Sequence, residues 1–517
     1  MTRAWSCTWG LVAGVCLGGT LFPHQRGAAL AVVFGSVLAS LFSDPPAPPA
    51  SAPANAERWA PLCVVLFFVP VLTHAVAPGA DMAMHAALAR ALRDDLSVLS
   101  PAWGRAQAGA YPLGFSAWVA LFGALVELGR ASTLASGAAF ALYYAALQRF
   151  LATVLAVPSP RLLAAFLLTA SWSPQAFYRW GGGPSVLALA LSLFAAAQLP
   201  QLCAARRTLP GLFVSVLLAA AMATHPIGAS IGAAASGVVW LGCCTRQPRA
   251  AAYGVVFVPV VLLMAWLSAQ GPVLSAREHA WIYHFRTVDE NVLGPWRRWL
   301  FPLTVWRALA VRIGPVVSLG YLASFCVLWR RDRRMLFTSL LSIEAFAAVL
   351  AYGPELPALG FLIYPSRLMP AAVWLMAAPL SAAWHQLSSH ARRSAGAVLA
   401  LSALAVHIGL YQTAQPLVTR NDAAVLQCLA QHVPRDAVID GAYGDATQWI
   451  PALTGRAITH PHEHCSLFDE VDAELARQRP SHRFIGERVV FGDPLPAPPT
   501  RSRSVCERGD AKLYELP

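Results

Sequence analysis

Runs of about 17 to 20 nearly uncharged residues recur along most of this chain, and a run of that length is what an α-helix needs to cross the hydrocarbon of a bilayer. They fall near residues 5–22, 27–43, 60–77, 113–129, 131–149, 156–172, 183–200, 210–224, 227–244, 251–268, 312–329, 335–352, 366–385 and 394–412. Apolar residues make up 57% of the chain and charged residues 12%, about half the charged share of an ordinary soluble domain, so one aqueous core cannot account for them. The pattern predicts a mostly α protein: a polytopic transmembrane bundle of about 13–14 helices with a small C-terminal α/β domain.

Three regions follow. Residues 1–59 hold two leading helices and the Pro/Ala-rich linker "SDPPAPPASAPANAERW". Residues 60–412 form the main transmembrane domain with long loops at 78–112 and 269–311, and residues 413–517 read as a mixed α/β domain with strand-like pieces "AVID", "RAITH", "RFIGERVVF" and "KLYEL". Asn421 or Asp422 would cap its helix.

The formal charge of +12 comes from arginines in short clusters between apolar runs, which is a topological signal and not a nucleic-acid face. Arg206 and Arg207, "TRQPR" at 245–249, "RRDRR" at 330–334 and "ARR" at 391–393 should stay cytoplasmic. That places loops 269–311 and 353–365, the turns near 173–182 and 225–226, and the C-terminal domain on the other face, and counting forward from a cytoplasmic N-terminus puts loop 78–112 there too. Counting from the two ends disagrees by one span between 113 and 182, where Pro158 and Pro160 suggest a half-crossing helix. Seven of ten cysteines lie in or beside apolar runs without metal spacing; Cys428, Cys465 and Cys506 could form one disulfide in an oxidising space.

One short stretch, "VAPGADMAMHAALARAL" at 76–92, puts an aspartate at the edge of a span. Asp81 reads as the N-cap of an amphipathic helix lying on the membrane surface. His85 follows one turn later on the same face. Further along come "AYPLGFSAWVALFGAL" at 110–125, "YRWGGGPSVLALAL" at 178–191, "ATHPIG" at 223–228 and "YPSRLMP" at 364–370.

In this order the segments from about 60 to 412 resemble the GT-C superfamily of membrane glycosyltransferases, and "GDATQWIPALTGR" at 444–456 is similar to the soluble extension of some uncharacterised bacterial relatives. The resemblance implies transfer of a sugar from a polyprenyl-phosphate-linked donor to a glycan, lipid or protein acceptor, generally with inversion, at the extracytoplasmic face of the bacterial inner membrane. Asp81 then occupies the place of the catalytic carboxylate, the general base that takes the acceptor proton. Arg367 is the leading partner for the lipid phosphate, with Arg286, Arg297 and Arg298 as alternatives. Tyr111, His85, His225, Glu278 and His279 are the remaining substrate-binding candidates.

Each of these has a plainer reading: a helix cap for Asp81, a helix-terminal hydrogen bond for His225, a snorkelling arginine for Arg367, an aromatic belt for the 269–311 loop. "THPHEHC" at 459–465 is dense in histidine without zinc spacing, and no metal site is assigned. No cofactor motif is present, and a divalent metal stays open. Walker A, dinucleotide and HExxH signatures are absent, and the rival functions are a transporter or flippase of lipid-linked glycans and a non-catalytic partner in envelope assembly.

Overall fold

The computed structural model describes residues 3–23, 25–41, 55–94, 112–172, 178, 181–205, 209–270, 313–352, 371–442, 444–459, 479–488 and 497–517. The chain is mostly helical with a small C-terminal sheet. The helices are α1 (Arg3–Leu21), α2 (Arg26–Leu41), α3 (Asn55–Leu72), α4 (Ala80–Arg93), α5 (Gly114–Gly123), α6 (Leu128–Thr153), α7 (Pro160–Thr169), α8 (Gly183–Ala205), α9 (Leu209–Thr224) and α10 (Pro226–Arg246). A 3-10 segment, Pro248–Phe257, leads into α11 (Val258–Gln270), followed by α12 (Pro315–Arg331), α13 (Arg333–Tyr352), α14 (Ala372–Gln386) and α15 (Ser389–Thr413). Each expected apolar run overlaps one of these helical segments.

Among the described residues two helical stretches, Gly183–Ala204 and Gly228–Arg246, are long and apolar enough to cross a membrane. A third is reached if α5 and α6, bent by 119° at their junction, count as one span. Several other apolar helices are shorter. α5 and α7 have ten residues each, about 15 Å or half the thickness of a hydrocarbon core. Pro160 occupies the first turn of α7, where its missing N–H costs nothing.

Small residues set the closest helix contacts. Gly10, Gly14 and Gly18 line one face of α1, and a Cβ on them would fall 2.6–2.8 Å from the α2 backbone at Ser36, Val33 and Ala29. Trp9 stacks on Phe194 of α8 with centroids 4.2 Å apart, and Thr20 donates to the Ala223 carbonyl at 3.0 Å. The leading pair is therefore packed into the bundle. Large apolar side chains such as Leu30, Phe34, Val238, Leu262, Leu341 and Leu401 face outward.

After α15 the chain forms α16 (Arg420–His432), β1 (Val438–Asp440), a 3-10 turn (Ala446–Trp449), α17 (Ile450–Thr454), β2 (Ala457–Ile458), β3 (His482–Ile485), β4 (Arg503–Arg508) and β5 (Ala511–Glu515). The sheet order is β2-β1-β3-β5-β4, with β1 parallel to β2 and β3, and β5 antiparallel to β3 and β4. The "GDATQWIPALTGR" segment is thus the crossover between two parallel strands. Ile439, Ile458, Phe484 and Leu513 are buried, and α16 packs on the β4–β5 side. Thr419, not Asn421 or Asp422, caps α16, because the helix begins at Arg420, two residues before the start that an Asn421 cap would give. Asp422 completes a capping box from the third position. Cys428 of α16 and Cys506 of β4 are joined by a disulfide.

Asp445, at the entrance to the 3-10 turn, is fully buried and accepts N–H bonds from Thr447 (2.7 Å) and Gly486 (3.2 Å). Burial outweighs these bonds and pushes its carboxyl up to about 6. A raised carboxyl favours the neutral folded form, so its contribution is full below about pH 4 and is lost as pH rises through 6, about 3 kcal/mol by pH 7.5. Thermal unfolding of the full chain between pH 4 and 8 should therefore show a falling midpoint that Asp445→Asn partly flattens. An unchanged slope in the variant would assign the pH dependence to other groups.

Candidate functional site

α4 is the centre of the site. Gly79 caps it with a φ of 91°, so the helix begins at Ala80 and Asp81 stands in its first turn instead of at the cap. The carboxylate still lies where the exposed N–H groups and helix dipole favour negative charge. The helix does not lie on the surface. Met82, Ala83, Met84, His85, Ala86, Ala87, Leu88, Ala89 and Ala91 are all buried, because α5 and α6 pack on it from one side and the C-terminal domain from another.

Four further segments bring polar groups to the same end of the bundle. His85 is 1% exposed, its Nδ1 is 3.2 Å from Ser116 Oγ on α5, and its ring meets Phe115 edge-on at 5.3 Å. Ser136 of α6 reaches Met82 Sδ at 3.8 Å. Gly181, at a φ of +92°, brings its backbone against α4, so that a Cβ there would lie 2.9 Å from Met82 N and 3.2 Å from Asp81 Cβ. One turn on, Ser185 of α8 reaches His225 Nδ1 at 3.3 Å, and the same nitrogen accepts the Gly228 N–H at 3.2 Å as the cap of α10.

This acceptance puts the proton of a neutral His225 on Nε2, an assignment from hydrogen-bond geometry. The helix-terminal reading of His225 therefore holds, and it leaves Nε2 as the ring's donor. Gly181 has no room for a side chain and occupies a backbone region that other residues enter only with strain. Gly181→Ala should cost about 1–3 kcal/mol and lower the melting midpoint of the purified protein, whereas an unchanged midpoint would mean that the turn and α4 can separate freely.

Of the candidates read from the sequence, Asp81 lies against Gly181, His225 reaches Ser185 one turn further on, and His85 turns to Ser116 and Phe115 of α5. Tyr111, Glu278, His279, Arg286 and Arg367 lie outside the described residues, as do Arg297, Arg298 and His460, His462, Glu463, His464 and Cys465. Glu127 is exposed at the α5–α6 turn, and Glu344 lies close to Tyr321 on a neighbouring helix.

Two contributors were not foreseen. Arg130, half-buried in the first turn of α6, donates from Nη1 to the His74 carbonyl at 3.0 Å and acts electrostatically on buried Tyr178. Burial raises the Tyr178 phenol and the Arg130 charge opposes that rise. In sequence Arg130 reads as an interfacial arginine, with only its place at a span end as a signal. The second is the C-terminal domain: Arg90 Nη1 donates to the Ala452 carbonyl at 3.0 Å, Gly455 at a φ of +75° closes against that guanidinium, and Leu453 reaches Gly129 of α6. Arg90 also pairs with Asp94 at 3.3 Å, and the Arg93 guanidinium, followed by those of neighbouring arginines, holds the Asp94 carboxyl below its usual range.

With carboxylate, imidazoles, hydroxyls and a guanidinium at one end of the bundle, the arrangement offers a proton acceptor, hydroxyl-binding groups and a cation for an anionic leaving group. No protein-family model matches the chain, and no curated protein does either.

Proposed function

We propose that this chain is a polytopic membrane glycosyltransferase of the GT-C type, moving a sugar from a polyprenyl-phosphate-linked donor to an envelope acceptor at the extracytoplasmic face. The observation that carries it is Asp81 packed against the Gly181 turn, with His225 joined to Ser185 one turn on, at one end of the two helical stretches that among the described residues are long and apolar enough to span a bilayer. Asp81 takes the proton of the acceptor hydroxyl as that oxygen attacks the anomeric carbon, and the bond to the lipid phosphate breaks on the opposite side. His85 and His225 hold the sugar or acceptor hydroxyls. Arg130 joins Arg367 as a candidate for the departing phosphate.

The outward-facing apolar side chains support a lipid environment, and the Cys428–Cys506 disulfide supports an oxidising compartment for the C-terminal domain. That domain rests on α4, so acceptor access is controlled where the base sits. The test is a mass-spectrometric profile of envelope glycans and lipid-linked sugars in cells with the intact gene, a deletion, or Asp81→Asn at matched protein levels. Loss of one glycan with accumulation of one lipid-linked sugar in both mutants supports transfer. Accumulation of that lipid on the cytoplasmic leaflet alone would make the chain a flippase.

A further inference from the structure

At the other end of the same helices lies a cavity of about 1040 Å³. It is built where α8 ends, α9 begins, and α10 runs into the 3-10 segment Pro248–Phe257. Arg246 and Arg249 stand at its rim with Gln247, and all three are exposed. Leu212, Val256 and Tyr253 supply apolar wall. No carboxylate is among its described lining residues.

Two features fix its level in the bundle. α8 has 23 residues and α10 has 21, so each is about 31–34 Å long, close to one hydrocarbon thickness. Ser185 stands in the first turn of α8 and His225 caps α10, and the last turns of both helices reach the cavity, which therefore sits about one membrane thickness from Asp81. The 3-10 floor is held in place because Trp240 of α10 donates to the Ala250 carbonyl at 2.9 Å. Gly211 opens the wall: an added Cβ would meet Val256 at 3.5 Å, an ordinary contact, so a larger side chain at this position would project toward the cavity.

We propose that this cavity is a binding site for an anionic membrane lipid, with the phosphate held by Arg246 and Arg249 and an acyl or isoprenoid chain along the apolar wall. Two guanidinia lining one cavity at a helix end suit a phosphate diester, and a basic pocket between helix ends beside apolar wall selects an anion with a tail over a soluble one. The cavity volume is in the range of ligand sites of drug size or larger, enough for a headgroup and the first chain carbons. This site rests on the transmembrane part of the reading above and not on sugar transfer, so inactivity of Asp81→Asn, or its absence, leaves it untouched.

The experiment is native mass spectrometry of the full chain in detergent, titrated with phosphatidylglycerol, phosphatidylcholine or glycerol 3-phosphate. Phosphatidylglycerol should be retained at one site about tenfold more strongly than phosphatidylcholine, and glycerol 3-phosphate should not displace it. R246Q/R249Q should weaken retention tenfold or more, R246K/R249K should keep the part that depends on charge and so fall between that variant and the intact protein, and Gly211→Leu should weaken it without altering charge. Both arginine variants must elute as the intact protein does. Equal retention of the two lipids, or undiminished binding by R246Q/R249Q, overturns the proposal. Displacement by glycerol 3-phosphate would make it a soluble-phosphate site and overturns the lipid assignment.

Discussion

Asp81→Asn is expected to lower glycan transfer by a hundred- to ten-thousand-fold while leaving the protein folded, the loss that follows when a positioned general base is removed. Asparagine keeps the volume at the start of a helix that is otherwise buried, so packing against Gly181 is preserved. The stability change should be small, about 0.3–1 kcal/mol, the worth of one carboxylate near a helix N-terminus. Asp81→Glu retains a base but moves it by one methylene into a turn with no spare room, so partial activity is expected. Activity of Asp81→Asn within threefold of the intact protein would reduce Asp81 to a charge at a helix end. The same glycan assay on His85→Asn and His225→Asn then separates the roles: a hydroxyl-binding histidine should change donor or acceptor saturation more than maximal rate.

Helix positions were readable because apolar length is a local property: each run predicted a helix, and helices occur there. Sharp bends and burial were not, since they depend on neighbours. The α5–α6 corner of 119° falls within "GALVELGR", which as a string is simply apolar residues followed by charge. α4 reads as amphipathic when alanine is counted as neutral, but its alanines are what let three elements close around it. The Gly10, Gly14 and Gly18 spacing was present in the sequence as a close-packing stripe and needed only to be counted at every fourth position. β4 was missed because "RSVCER" carries the charges that an edge strand uses to avoid pairing with other chains. Asp81 and His225 stood out because each is polar near a glycine or proline at a span end, and His85 because it follows Asp81 by one turn on the same helix face. Arg130 did not, and neither did the docking of Arg90 on Ala452, since no local pattern announces a contact across 362 positions.

Removing the disulfide by Cys428→Ser with Cys506→Ser should destabilise the C-terminal domain by up to about 4.5 kcal/mol, the loop-closure value for a crosslink spanning 78 positions. The bond ties α16 to the edge strand β4, and both pack on β5, so its loss frees the outer side of the sheet. His432 stands beside it, with Nδ1 3.5 Å from Cys428 Sγ, and the three ligand atoms lie within 4.8 Å of one another. A thiolate metal site is therefore the rival arrangement, and two treatments of the intact protein divide them. A disulfide predicts a lower melting midpoint with a reductant and no response to a chelator; a metal site predicts the reverse. The consequence extends to α4, because α17 and the 3-10 turn, which touch that helix, belong to the same small domain. If the crosslinked domain holds α4 in register, the double serine variant should lose transfer activity in step with its melting midpoint, and recover it on cooling. Full activity in a variant whose domain has melted would show that α4 is held by α5 and α6 alone.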